Sequence, residues 1–154
     1  VEANDHIALG MLMTSYLELR RFADAKRLFD AHREQGGTHL HYSEVIWCWL
    51  TGVREPEFVA ALQEALHANA FVPVLLSDPE TPYERSPFGV TSGGADEAAE
   101  YLAVSHRIWD ANPKLKRKVI TMARRLMPKV KAEQEARRRE FRLQAGLPDD
   151  TKQQ

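Results

Sequence analysis

Few residues in this chain have types suited to chemistry: His39-x-His41, Cys48, His106 and the glycines of "TSGG" at positions 91–94. Two histidines and a thiol are zinc donors. A closed zinc site, however, takes four ligands at recurrent short spacings, and His39, His41 and Cys48 fit none of those spacings. The expected reading is a pair of loop histidines and a buried thiol. A loop that cradles phosphate needs several backbone N–H groups at a fixed glycine spacing and a lysine, and "TSGG" has neither. His106, beside Arg107 on a polar helical face, reads as a surface histidine. No Ser-His-Asp or Cys-His set can be assigned from spacing, because such sets are assembled in space. The chain is expected to be non-catalytic, with no cofactor and no metal.

Charge is the other chemistry on offer, and it is unevenly placed. Residues 114–142 hold twelve of the twenty-one Lys and Arg against three acidic residues, a net +9. Residues 1–113 hold eight basic and seventeen acidic residues, a net −9. The chain is an acidic body with a basic segment, a pattern that bears on partners rather than on fold. A basic run can meet phosphates, yet Phe141 is the only aromatic residue in it, which speaks against stacking on single-stranded bases. Two partner classes stay open: a protein with an acidic surface or peptide, including a second copy of the chain, and nucleic acid.

The elements that position these residues read as helices. Across 154 residues the chain is 44% hydrophobic and 28% charged, within the globular class. Its apolar runs are far too short to cross a membrane. It shows no secretory-signal pattern, and it opens on Val1 rather than Met, as a processed form or a piece of a longer protein would. One cysteine cannot form an internal disulfide; with the absence of a signal this points to the cytoplasm.

Within the acidic body there is a repeat. Leu9, Leu12, Met13, Tyr16, Ala25 and Phe29 fall on Tyr42, Val45, Ile46, Trp49, Phe58 and Leu62, always 33 residues apart and without a gap. The spacing i, i+3, i+4, i+7 in "LGMLMTSY" predicts an amphipathic helix. "RRFAD" breaks it, Ala25, Leu28 and Phe29 pack the second helix on the first, and "QGG" at 35–37 stops that one. A third helix is predicted over residues 41–50, ending at Gly52, and a fourth over 56–67 with Pro56 in its first turn. "VPVLL" predicts a short apolar turn. A third pair of helices follows the Pro- and Gly-rich loop. The first of them has a buried stripe of Ala98, Tyr101, Leu102, Ser105, Ile108 and Trp109. The second starts at Asn112-Pro113, read as N-cap and first helical residue, with a stripe of Leu115, Val119, Met122, Leu126 and Val130. Pro128 should kink or divide it. The predicted organisation is therefore residues 1–77 as two helix pairs with the short turn, 78–94 as loop, 95–127 as a capping pair, 128–146 as a basic helical extension and 147–154 as a frayed tail. Helix pairs are predicted over 4–35, 41–67 and 96–127.

The 33-residue offset and the positions it occupies resemble the tetratricopeptide repeat, W-x2-L-G-x2-Y followed by A-x3-F. The further order "ANAFVPVLL" and then "GGADEAAEYLAVSHRIW" resembles a module of bacterial tetratricopeptide-repeat proteins related to the suppression-of-tumorigenicity family. The matching positions are Asn69, Val72, Pro73, Leu75 and Leu76, then Gly94, Glu97, Ala98, Tyr101 and Trp109. "ANDHIALG" is similar to the family's opening with Asn4 and Asp5 reversed. Ala70-Phe71 stand where the family has Pro-His, Val74 replaces a Tyr, the loop is longer, and nothing matches beyond Pro113. The resemblance implies an all-α fold of stacked antiparallel helix pairs, a short α-solenoid, that acts as an interaction module. Such modules line a concave groove with the first helix of each pair. On this alignment the groove holds Ile7, Gly10, Thr14, Leu17, Ser43, Trp47 and Leu50. Trp47 and Trp49 lie about 200° apart around one helix, so Trp49 is placed in the core and Trp47 in the groove. The alternative is a groove filled by "VPVLL" or by the last helices. The second candidate surface is the basic extension, with Arg137, Arg138, Arg139 and Arg142 exposed. The function expected is a helical scaffold that binds a protein through groove and extension; the alternative is phosphate binding through the basic helix.

Overall fold

The computed structural model describes residues 3–148, with side-chain surroundings from residue 7 onward. Among the described residues seven α-helices follow one another: α1 (Ala3–Glu18), α2 (Phe22–His32), α3 (Thr38–Thr51), α4 (Glu55–Ala68), α5 (Val72–Ser77), α6 (Ala95–Ala111) and α7 (Pro113–Gln144). A single 3-10 turn, Arg33–Gln35, leads into Gly36-Gly37. No strand occurs among the described residues, and the fold is all-helical. The predicted frayed tail lies outside them from residue 149 on, as do the side chains of Asn4 and Asp5.

Helix ends are set by local chemistry. α3 stops at Gly52, whose φ of 70° only glycine adopts freely. The Val53 N–H then donates to the Cys48 carbonyl at 3.2 Å and the Gly52 N–H to Trp49 at 3.3 Å, the paired bonds of a Schellman stop. α1 closes the same way at "RRFAD": Arg20 takes φ 58° and the Arg21 N–H reaches the Tyr16 carbonyl at 2.8 Å. Pro113 opens α7, as predicted. Asn112 does not cap it, however. Its side chain donates backward to the Ile108 carbonyl at 2.8 Å and so satisfies the end of α6.

α1 packs on α2, α3 and α6; α3 packs on α4 and also touches α2 and α6; α4 lies along α7; and α5 sits between α6 and α7. The largest fully buried side chains are Trp109, Tyr42, Tyr101, Phe29, Met13 and Leu17. The two copies of the repeat are not equally buried. Tyr42, Val45, Ile46, Phe58 and Leu62 are all buried, whereas Leu12 is 41% exposed and Leu9 and Tyr16 are half-buried. α3 packs against α1, α2, α4 and α6, whereas α1 packs against α2, α3 and α6. The face that α1 does bury is Gly10, Met13, Thr14 and Leu17, rotated from the predicted stripe by about one residue.

α7 is continuous through Pro128, so of the two expectations for that proline, a kink or a division, the division is not seen. Its buried seam of Leu115, Val119, Ala123 and Val130 passes the proline. Pro128 itself points to solvent. Packing on both sides of the ring holds the helix together despite the lost backbone donor.

Candidate functional site

Four of the seven predicted groove positions, Gly10, Thr14, Leu17 and Ser43, are buried. They line no open groove, because α6 lies on that face of α1 and α3. Tyr101 of α6 is the central side chain. It stands edge-on to His39 at 5.3 Å between ring centroids and 5.8 Å from Tyr42. The Trp109 indole N–H donates to the Tyr101 hydroxyl at 3.2 Å. Burial holds the Tyr101 and Tyr42 phenols above their usual range, so neither is an acid or base near neutral pH. Leu50 is half-buried and, with Leu17, Ile108 and Ala111, walls a cavity of about 420 Å³ at the far end of α6. Ile7 is half-buried at the other end.

Trp47 does not face the α6 side. Its indole N–H donates to the Phe22 carbonyl at 3.0 Å and the Lys26 ammonium lies over its ring at 5.3 Å, so it packs toward α2. Trp49 is half-buried against the core on the opposite side, under the Lys118 ammonium of α7. The predicted separation of the two rings is present, but the side facing α2 is the one Trp47 takes. Its polar N–H finds a carbonyl there, as a buried indole requires.

His39 is buried beneath α1. A Cβ on Gly10 would come within 2.2 Å of its Nδ1, so the helices approach here only because residue 10 is glycine. His41 stacks edge-on to Phe29 at 6.0 Å, and burial lowers its pKa despite the nearby Glu64 carboxylate. Cys48 is buried and its thiol is pushed up to about 11, mainly by desolvation; it is a poor nucleophile. Among the described residues no three His, Cys, Asp or Glu side chains converge as a metal-ligand group. His106 is exposed.

Asn69 is the residue whose role spacing alone did not reveal. It is 1% exposed and ties three elements together. Its carbonyl accepts the Tyr42 hydroxyl of α3, its Nδ2 donates to the Gly94 carbonyl at the start of α6 at 2.8 Å, and its Oδ1 accepts the Phe71 N–H before α5 at 2.8 Å. The available signal was the resemblance, which marks Asn69, Gly94 and Tyr101 as motif positions; they meet in one region of the fold.

The basic helix is the most exposed candidate. Lys114, Arg117, Arg124, Arg125, Lys129, Lys131, Arg137 and Arg138 are solvent-exposed and make no ion pair among the described residues. Arg139 is exposed too, while Arg142 is half-buried and donates to the Pro148 carbonyl at 3.3 Å. Two contacts fix how α7 lies on α4. Lys118 meets Glu55 at 2.6 Å and His67 meets Glu133 at 2.7 Å. Both pairs advance together, so the helices are parallel. α4 ends at Ala68, one residue past His67, so α7 overhangs by about ten residues, about 15 Å. The overhang carries Phe141 and Leu143, 68% and 64% exposed. It ends in a built stop: Gly146 takes φ 71°, and the Leu147 and Gly146 N–H groups return to Arg142 and Leu143.

At the pole from which α7 projects, two cavities adjoin. One, of about 530 Å³, has Ile7, Leu9, Leu40, Phe88 and Val90 on its walls with Glu97 and Glu100; the other, of about 480 Å³, is walled by His41, His67 and Glu64. No Lys or Arg lines either. Glu97 is engaged internally: it accepts the Thr38 hydroxyl and the Gly93 N–H. No helix among the described residues is long and apolar enough to cross a membrane. Compared with protein-family models, curated proteins and solved structures, the chain matches none.

Proposed function

We propose that the chain is a non-catalytic helical scaffold that mediates protein–protein interaction, and that the overhanging end of α7 holds the partner. One observation carries this. The overhang presents unpaired cations, Arg137 and Arg138, beside the exposed apolar side chains Phe141 and Leu143. Arginine with an aromatic anchor is the composition of protein-binding hot spots. A phosphate backbone would neutralise the arginines but leave the apolar side chains in water. The complementary partner is an acidic surface or peptide with apolar residues of its own.

The reading of α1–α4 as a tetratricopeptide-like solenoid fragment, capped by α6 and α7, is supported by the gap-free 33-residue offset and by α3 packing on both α1 and α2. With α6 lying on α1 and α3, the interaction is assigned to α7 rather than to a concave groove. A second reading, nucleic-acid binding, is favoured by the length of the cationic row from Lys114 to Arg138, which exceeds the overhang.

The test is affinity capture from the source organism's extract with and without nuclease, comparing wild type with the variant R137E/R138E/R139E/R142E. Expected is a discrete protein set that survives nuclease and is lost with the variant. Nuclease-sensitive capture, together with duplex binding whose log affinity falls by about 0.9 per log salt for each phosphate contacted, would transfer the function to nucleic acid.

A further inference from the structure

We infer that one partner of the α7 overhang is a second copy of this chain, whose apolar, carboxylate-lined cavity between α1 and the 86–92 loop receives it. The inference rests on the interaction reading of α7 given above.

The two surfaces are complementary in kind. The overhang offers Phe141 and Leu143, 68% and 64% exposed, among four arginines and two glutamates. The cavity offers about 530 Å³ walled by Ile7, Leu9, Leu40 and Val90, with Glu97 and Glu100 and no Lys or Arg. Its neighbour adds Glu64. Three helix N-termini, those of α1, α3 and α6, lie at this pole and their partial positive charge opposes a cationic guest; the carboxylates Glu97 and Glu100 at the start of α6 offset it. Residues 1–113 carry net −9 and residues 114–142 net +9, so self-association brings unlike charges together.

The placement also closes the assembly. The overhang and the cavity stand at the same pole: Gly10 abuts His39, Thr38 bonds Glu97, Asn69 bonds Gly94 and His67 bonds Glu133. The helix end does not occupy its own cavity, since no residue of α7 lines it. Two copies set pole to pole about a two-fold axis can each seat the other's helix end. That contact is isologous, so it stops at a dimer. One ten-residue helix end buries too little for a stable complex, since a specific interface removes roughly 1,600 Å² in total; the doubled contact is the arrangement that approaches it.

The test is sedimentation equilibrium of the purified chain from about 1 to 200 µM, a range spanning ordinary dimer affinities, at low and moderate salt. Expected is a reversible dimer weakened by salt. R137E/R138E and, separately, E64K/E100K should each raise the dissociation constant roughly tenfold or more, with unchanged circular dichroism. The chain carrying all four substitutions should dimerise again, since the charges are exchanged and not lost. A monomer throughout, a dimer indifferent to both variants, a failure of the combined chain to recover, or open-ended growth would each overturn the inference. A monomer whose nuclease-resistant capture still depends on the α7 arginines would sink the second copy alone; loss of that dependence would sink the interaction reading with it.

Discussion

Asn69 illustrates how much of this molecule hangs on single polar side chains. Asn69 itself is 1% exposed, and removing its side chain leaves the part-buried Gly94 carbonyl and Phe71 N–H without their partner. Each such group costs about 1–3 kcal/mol, so Asn69→Ala should lower unfolding free energy by about 2–4 kcal/mol in denaturant melts, far more than an exposed asparagine would. Glu44 works in the other direction. It is mostly buried, one carboxylate oxygen lacks a hydrogen bond, and Arg33 stands 3.8 Å away. Burial raises its pKa against the partial help of Arg33 and Lys26. A carboxyl with a raised folded-state pKa contributes stability below its unfolded pKa and loses it as pH rises through the folded value. Glu44→Gln should therefore be the more stable chain at pH 7, with the advantage gone near pH 4; melting temperatures at the two pH values check this. Neither role was legible in the sequence. Asn69 acts on residues 25 positions away and Glu44 depends on what surrounds it, whereas spacing reports only neighbours along one helix.

At the scale of elements, the sequence was informative wherever local chemistry decides. Gly52, Pro56, Pro113 and the 35–37 stop all mark helix ends close to where they lie. It was less informative where two faces of one helix are both apolar. α1 has Leu9, Leu12 and Met13 but also Met13 and Leu17, and only the arrival of α3 and α6 selects the second set. α7 shows the same limit. Pro128 reads as a break, yet Val130 is fully buried beyond it, and packing on both sides outweighs the missing bond. Pro128→Ala should then stabilise the protein, by up to about 3 kcal/mol, because nothing exposed at that site needs the ring. The overhang belongs to the opposite case. Arg137 and Arg138 are exposed and make no ion pair among the described residues, so R137E/R138E should move stability by no more than about 0.5 kcal/mol per residue in thermal melts while weakening binding.

For the whole molecule, the all-helical class was evident from periodicity, and the opposed charges of body and basic segment were evident from counting. The fate of the concave face was not. Residues 95–111 reach α1 and α3 across the long loop, and a contact over such a distance leaves no spacing to read. Because α6 lies on α1 and α3, the proposed interaction is on the projecting end of α7, with a protein as partner. The most direct test puts a photo-activated cross-linking residue at position 141 and, as control, at position 19, which is equally exposed in the turn after α1. A discrete protein adduct is expected at position 141, resistant to nuclease, absent at position 19 and lost when Arg137 and Arg138 become Glu. Equal labelling at both positions, or an adduct at 141 that nuclease removes, would contradict it.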